Sequence, residues 1–255
     1  MKFTLHRRTR KLAFDSRGRR TWKPSEVVSE VSAKSLAVIV CDMWDRHWCR
    51  SASERVQDMA PRMNDILKTA RTRGVLIVHA PSETMEYYEG TPARLRAVQT
   101  PPIAPPSELP HDDPALPIDD TDGGCDSGDN LGEVNERVWT RQHPAIFIDQ
   151  NRDVISDEGV QIYSILKERG INQVVIMGVH TNMCVLNRSF GIKQLTRRGV
   201  DVTLCRDLTD SMYNPGRPPY VDHKTGTDLV VDYIESHWCP TIHSGDLVES
   251  HLISS

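Results

Sequence analysis

A cysteine at the start of a predicted helix is the residue of this chain best placed for covalent chemistry. The run 174–185 is an apolar strand that ends at Gly178 and places Cys184 in the opening of a helix. Thiolate is the nucleophilic form of cysteine, and free N–H groups and the helix dipole at that end lower a cysteine pKa. The same amides can hold an oxyanion. The alternative is that Cys184 is a small buried hydrophobe on a helix face.

A carboxylate at the end of an earlier strand is the second candidate. The apolar run 36–42 ends in Asp42. A carboxylate close to a thiol can take the proton from sulfur and return it to a leaving amine. Taken alone, Asp42 fits a strand-end cap or a salt-bridge partner better than a catalytic role; the pairing with Cys184 favours the catalytic role.

Alternating strands and helices are predicted to position these two residues. Apolar runs at 36–42, 75–78, 173–177, 200–205 and near 241–243 predict strands, and periodic stretches at 56–70, 156–170, 181–198 and 227–237 predict helices. Pro61 is expected to kink the first helix or start a second one, and Ser156 is a candidate N-cap. This order predicts a mostly parallel sheet with helices on both faces. Asp42 and the turn after Gly178 are then expected to meet at the carboxyl edge of the sheet.

Composition limits the class of protein. The chain has 255 residues, 38% of them hydrophobic, and a formal net charge of −4, which argues against nucleic acid as the main partner. No secretory h-region and no run of transmembrane length is visible, so no membrane association is predicted. The six cysteines lack a Cys-x-x-Cys pair and are predicted to be reduced, in a cytoplasmic protein. They are Cys41, Cys49, Cys125, Cys184, Cys205 and Cys239.

Two segments are strongly charged. Residues 1–34 hold ten Lys and Arg against three Asp and Glu and are predicted to be a solvated basic extension, in preference to a nucleic-acid arm. Residues 107–136 hold ten acidic residues and no Lys or Arg. They lie in a Pro, Gly and Asp-rich insertion, 99–136, expected to be a lid or a subunit contact. The two charged segments could touch within one chain or between subunits. The predicted domain is 35–245, followed by a tail at 246–255.

The strand ending in Asp42, a basic residue before a later strand and the Gly-x-x-Thr-x-x-Cys-Val turn at 178–185 together resemble the isochorismatase-like cysteine hydrolases, which include nicotinamidases. The resemblance implies a three-layer α/β/α domain with a central six-stranded, mostly parallel sheet, in a homo-oligomer. It also implies hydrolysis of a C–N amide bond by an Asp, a Lys and a Cys, with a cis peptide between Val179 and His180.

Mapped onto this sequence, the family pattern makes Cys184 the nucleophile and Asp42 the proton carrier, with the backbone amides of His180 and Cys184 as oxyanion hole. Arg141 occupies the position of the family lysine. An arginine supplies positive charge but does not readily give up a proton. Arg141 therefore acts electrostatically, or His143 contributes, or the chemistry has changed.

The loop after Asp42 is rich in aromatic residues that would suit a flat, small-molecule substrate. The predicted substrate-binding residues are Trp44, His47, Trp48, His180 and Tyr213. No cofactor is predicted. A divalent metal is a weaker alternative, because the place where nicotinamidases carry several metal ligands holds only His79, which Asp45 and His47 would have to complete.

These observations favour a cysteine hydrolase that cleaves a small amide through a thiolate and an acyl-enzyme. One alternative keeps the fold and acts on a non-amide substrate, as isochorismatases do. Another is a catalytically silent metabolite-binding protein, which the arginine at the lysine position keeps open.

Overall fold

A single mixed β-sheet of eight strands organises the chain in the computed structural model, which describes residues 1–248. Most of the predicted tail at 246–255 therefore lies outside the described residues. The strands are β1 (Lys2–Phe14), β2 (Arg20–Ser32), β3 (Leu36–Cys41), β4 (Leu76–Ala80), β5 (Val154–Ile155), β6 (Gln173–Val179), β7 (Asp201–Asp210) and β8 (Thr241–Ile242). Their order across the sheet is β2-β1-β8-β7-β6-β3-β4-β5.

Helices cover both faces of this sheet. They are α1 (Arg50–Thr72), α2 (Pro92–Gln99), α3 (Gly159–Glu168), α4 (Ile192–Arg197) and α5 (His223–His237). Alternate residues of β3 belong to different core clusters: Ile39 lies in the one that contains α3, α4 and α5 residues, and Val38 in the one that contains α1 residues. A strand buried on both faces reads as a continuous apolar run, which is the pattern in the sequence. Within residues 1–248, no helix has both the length and the apolar character needed to cross a membrane.

The predicted α/β class with a mostly parallel sheet is confirmed, and the strand count differs for a specific reason. Strands β3 to β8 pair in parallel and form the expected six-stranded unit. The two additional strands come from residues 1–34, which are an antiparallel hairpin rather than a solvated extension. Its first strand joins the sheet through Arg8, paired with Thr241 of β8. Phe3 and Leu5 are each 1% exposed, so the base of the hairpin belongs to the core.

The basic side chains of the hairpin pair with acidic residues of β7 and α5. Arg7 lies 2.7 Å from Asp201, Arg8 lies 2.7 Å from Glu235, and Arg10 pairs with Asp232. Carboxylates of the acidic insertion have other partners, which include Asp113 with Lys193, Asp119 with Arg217, and Asp126 with Arg55. Each charged segment therefore forms ion pairs with oppositely charged residues in the rest of the domain.

Three local expectations are corrected. Helix α1 is one continuous element that contains Pro61, so no second helix begins there. Glu158, not Ser156, caps α3, because its carboxylate accepts the N–H groups of Val160 and Gln161. The helix predicted at 181–198 is divided into a π-helical turn at Thr181–Val185 and α4, which begins after Gly191.

The prediction that all cysteines are reduced is wrong for one pair. Cys49 and Cys125 form a disulfide across 76 residues of sequence, with their Cα atoms 5.7 Å apart. Cys49 immediately precedes α1, and Cys125 belongs to the acidic insertion. The bond therefore fastens the insertion to the loop that follows β3. Cys41, Cys184, Cys205 and Cys239 are free thiols.

Candidate active site

Asp42 and Cys184 lie together because β3 and β6 are neighbours in the sheet. Cys41 at the end of β3 is paired with Gly178 near the end of β6. Gly178 has a φ of +116°, and a Cβ built there would lie 2.0 Å from the carbonyl oxygen of Cys41. Only glycine fits this approach, so Gly178 lets the two strands deliver Asp42 and the following turn to one place.

The Asp42 carboxylate is fully buried and has three partners. Oδ1 accepts the backbone N–H of Ser82 at 2.7 Å, and Oδ2 accepts Nε–H of Arg188 at 3.0 Å. The thiol of Cys184 is the third partner. Burial raises the pKa of Asp42 above its usual range, and Arg188 and Ser82 oppose that rise.

Cys184 is partly exposed, and its sulfur contacts Asp42 and the backbone N–H of His180. Burial raises the pKa of this thiol, the Asp42 charge raises it further, and Arg188 opposes both. The backbone N–H of His180 lowers the pKa, as expected for the start of a helix, but burial and Asp42 outweigh it, so the net shift of the pKa in the free protein is upward. The peptide between Val179 and His180 is cis, as the family resemblance implies.

Arg188 is the cation of this site, and sequence analysis missed it. Its backbone N–H donates to the carbonyl of Cys184 at 3.0 Å, so it follows the cysteine by one helical turn. Burial is the largest effect and disfavours its charge, but Asp42 together with Cys184 and Cys41 outweighs burial and raises the pKa of Arg188. Nη1 also contacts Glu83 at 3.4 Å. The spacing of four residues from Cys184 was the signal that could have identified it.

Arg141, the predicted cation, lies elsewhere. Its Nη1 donates to the hydroxyl of Tyr87 at 2.8 Å, and it contacts neither Asp42 nor Cys184. The next residue, Gln142, points inward to His79. The chain bends at residue 141, and the Arg141 side chain is directed to Tyr87 instead of the cavity. The alternative residue, His143, accepts the N–H of Ala145 at 3.2 Å and lies outside the cavity lining.

Cys184 and Arg188 line a cavity of about 220 Å³ together with four of the five predicted substrate-binding residues. Those four are Trp44, His47, Trp48 and His180. The fifth, Tyr213, is buried in the core, where its hydroxyl donates to the carbonyl of Arg217 at 2.8 Å. Its ring packs against Gly226, and its neighbour Met212 takes the place in the lining.

Stacked rings form one wall of the cavity. Trp139, which the sequence did not single out, lies with its ring centroid 4.2 Å from that of Trp44 and 5.7 Å from that of His47. Burial, with a smaller effect of Arg55, lowers the pKa of His47 to about 4. Burial, followed by the charges of His47 and Arg55, lowers the pKa of His180 well below its usual value. Both imidazoles are therefore neutral near pH 7.

The weak metal candidates do not converge. Both ring nitrogens of His79 are engaged, Nδ1 with Gln142 at 2.9 Å and Nε2 with Asp153 at 3.0 Å. The Asp45 carboxylate accepts the N–H and hydroxyl of Thr140 instead. Across the described part of the chain, no group of three His, Cys, Asp or Glu side chains could hold a metal ion. The donor set does not fit a divalent metal.

The chain is similar to several solved structures, which include a cysteine hydrolase and an isochorismatase family protein. A cysteine hydrolase from Pseudomonas syringae pv. phaseolicola 1448A superposes with a TM-score of 0.55 at 15% identity, over 86% of this chain and 92% of that one. An isochorismatase family protein from Burkholderia thailandensis gives a TM-score of 0.47 at 12% identity, over 85% and 97% of the two chains. No curated protein sequence matches the chain significantly.

The family model described as "Isochorismatase domain" matches residues 36–217, which contain β3 to β7 and the whole Asp42, Cys184 and Arg188 cluster. The match covers well over half of the sequence. The chain therefore belongs to the isochorismatase family of hydrolases.

Proposed function

We propose that this protein hydrolyses the C–N bond of a small amide through nucleophilic attack by Cys184. One observation carries the proposal: the Cys184 thiol hydrogen-bonds a buried carboxylate, Asp42, which Arg188 holds at 3.0 Å, and Cys184 and Arg188 both line one cavity. A nucleophile paired with a base, and a base oriented by a third group, is the arrangement that covalent catalysis requires.

In the first half-reaction, Cys184 Sγ attacks the amide carbon while its proton passes to Asp42. This transfer supplies the thiolate only when substrate is present, which suits a sulfur whose pKa is raised in the free protein. The backbone N–H of His180, directed at the sulfur, is placed to stabilise the oxyanion that forms next to it. Asp42 then protonates the leaving nitrogen, the C–N bond breaks and a thioester remains.

In the second half-reaction, water attacks the thioester and gives a proton to Asp42. The C–S bond breaks, the acid product leaves, and the proton on Asp42 returns to the sulfur. Arg188 keeps its proton throughout, because its role is to hold the second oxygen of Asp42. An arginine is suited to that role, since it needs to donate hydrogen bonds and never to deprotonate.

Ammonia release from a panel of small uncharged primary amides tests this proposal. We expect release by the wild-type protein, loss of release in Cys184→Ala, and a thioester adduct on the peptide that contains Cys184 in mass spectra of quenched reactions. Cys239→Ala, which removes a free thiol outside the cavity lining, is the matched control and should remain active.

Ammonia release that persists in Cys184→Ala would contradict the proposal. Binding of amides without turnover would instead identify a silent metabolite-binding protein. Turnover of an enol ether in place of amides, independent of Cys184, would identify the isochorismatase type of reaction.

A further inference from the structure

His47 presents an unused hydrogen-bond donor to the cavity. Its Nδ1 accepts the backbone N–H of Cys49 at 3.2 Å. A neutral imidazole that accepts at one nitrogen carries its proton on the other, so Nε2 is the donor. Within residues 1–248, no hydrogen-bond acceptor lies on Nε2 of His47, although the residue is 7% exposed and lines the cavity.

Trp139 presents a second unused donor beside it. Its Nε1–H is buried and has no partner among the described residues, and the side chain is 8% exposed. The rings of His47 and Trp139 are nearly parallel, with an interplanar angle of 4°. Native proteins seldom leave a buried donor without an acceptor, because its lost hydration is not replaced. The Trp139 N–H is such a donor, and the Nε2–H of His47, free within residues 1–248, lies in the lining of the same cavity. Together they indicate that a ligand provides the acceptor.

The charged residues around the cavity limit the charge of the ligand that carries this acceptor. Asp42 and Glu83 contribute two carboxylates, and Arg188, which contacts both, contributes one cation. Glu83 and Arg188 are the charged residues of the cavity lining and contact each other, and Asp42 behind them is paired with Arg188. Among the described residues, the lining therefore offers no unpaired charge to a charged ligand. A cationic group on a ligand needs hydrogen-bond acceptors, but His47 and Trp139 offer only N–H donors.

We propose that the substrate is an uncharged amide with a second hydrogen-bond acceptor, and that His47 and Trp139 bind that acceptor. This inference rests on the proposed function for the identity of the scissile bond. The recognition of the acceptor is a separate property, because it uses two side chains that take no part in the proton transfers of Cys184 and Asp42.

A matched pair of amides tests it. Cyclohexanecarboxamide and tetrahydropyran-4-carboxamide have nearly the same shape and differ by one ring oxygen, which is an acceptor. We expect kcat/KM of the wild-type protein to be at least about tenfold higher for the oxygen-containing amide, because a site built to pair a polar group rejects an analogue that lacks it. His47→Phe keeps a ring in the stack and removes the donor, so the two amides should become nearly equal, mainly through KM. Trp139→Phe should reduce the preference in the same way.

Trp44→Phe is the control, because the indole N–H of Trp44 already donates to the carbonyl of Ser82 at 3.0 Å. This variant loses ring area on the same wall, and the preference between the two amides should persist.

Calorimetric binding to Cys184→Ala separates this inference from the proposed function. If no amide is turned over but the oxygen-containing amide binds tenfold more tightly, and His47→Phe in the Cys184→Ala background removes that difference, recognition of the acceptor holds and the proposed reaction fails. Equal affinity for the two amides, no binding of the oxygen-containing one, or a preference that His47→Phe leaves unchanged would overturn the inference.

Discussion

Arg188 offsets the cost of burying the negative charge of Asp42. The Asp42 carboxylate is fully buried, and an isolated ionised carboxylate in such a place would bind a proton rather than remain charged. Arg188 contacts it at 3.0 Å from a partly exposed position, so one side of the ion pair remains hydrated. This pairing favours the ionised form of Asp42, and only that form can accept the proton of Cys184.

Removing the Arg188 cation should shift the pH profile in a defined direction. Activity falls as pH falls through the pKa of Asp42, which burial raises and Arg188 lowers. Arg188→Ala should therefore move the acid limb of kcat/KM to higher pH and reduce activity at neutral pH by about 100-fold, with part recovered in Arg188→Lys. The measurement is kcat/KM against pH. Arg141→Ala, the matched control, should keep the wild-type profile, and loss of activity there with a normal Arg188→Ala would reverse our assignment of the two arginines.

The sequence was sufficient to place Asp42 and Cys184 near each other, because both follow apolar runs and the carboxyl ends of neighbouring parallel strands lie at the same edge of the sheet. It misled at Arg141, where the family lysine was sought by sequence position. Which side chains of this irregular segment face the interior depends on the path of its backbone, and Gln142 takes the inward position here. Trp139 could not be placed for the same reason.

At the scale of elements, the insertion that contains Cys125 is fixed against the body of the domain at several points. The disulfide joins it to Cys49, and Asp126 pairs with Arg55 and His223. Gly123 packs against Trp48 and lines the cavity, so part of the insertion forms one wall of the site.

Reduction of the disulfide should loosen that wall. A crosslink across 76 residues lowers the entropy of the unfolded chain and is worth up to about 4 kcal/mol. We expect dithiothreitol to lower the melting temperature and to raise KM more than it lowers kcat. The double variant Cys49→Ala/Cys125→Ala should show both effects already and should not respond to dithiothreitol. A wild-type protein whose melting temperature and KM are unaffected by complete reduction would argue against a role for this bond.

Spacing could not reveal this disulfide, since its cysteines are far apart in sequence and in no recognised motif. The pairing depends on how the insertion crosses the molecule, and its irregular backbone has no periodicity to analyse. The division of the predicted helix at 181–198 also escaped detection, because Phe190 and Ile192 continue the apolar pattern on both sides of Gly191.

At the scale of the whole molecule, the N-terminal hairpin completes the sheet. β1 lies beside β8, and its arginines satisfy carboxylates on β7 and α5. The side chain of Glu235 is 0% exposed, and its Oε2 has no hydrogen-bond partner among the described residues. Arg8 is therefore the cation on which this buried carboxylate depends.

Arg8→Ala should destabilise the fold without touching the cavity. Among the described residues, loss of Arg8 leaves the buried Glu235 carboxylate without a cation and with only the Thr241 hydroxyl as a donor, which costs about 3 kcal/mol. The free energy of unfolding in urea should fall by that amount, whereas the exposed Lys11→Ala should change it by less than about 0.5 kcal/mol. Equal effects of the two substitutions would contradict a structural role for the Arg8 and Glu235 pair.

The six parallel strands were predictable because their apolar runs are continuous. The hairpin was not, since charged residues occupy much of β1 and concealed a strand whose cations are used inside the molecule. Its charge suggested a solvated segment only because the acidic partners are distant in sequence.

The position of β2 at the end of the sheet has a consequence for behaviour at high concentration. An edge strand of 13 residues exposes a row of backbone N–H and C=O groups. A strand of another molecule could pair with that row, which is a common start of aggregation. Pro24 interrupts that row by lacking an N–H, and Lys23 and Glu26 add charges that a docking strand would have to accommodate. These three residues oppose pairing of a further strand with β2. The hairpin that adds two strands to the sheet therefore also limits intermolecular extension of the sheet.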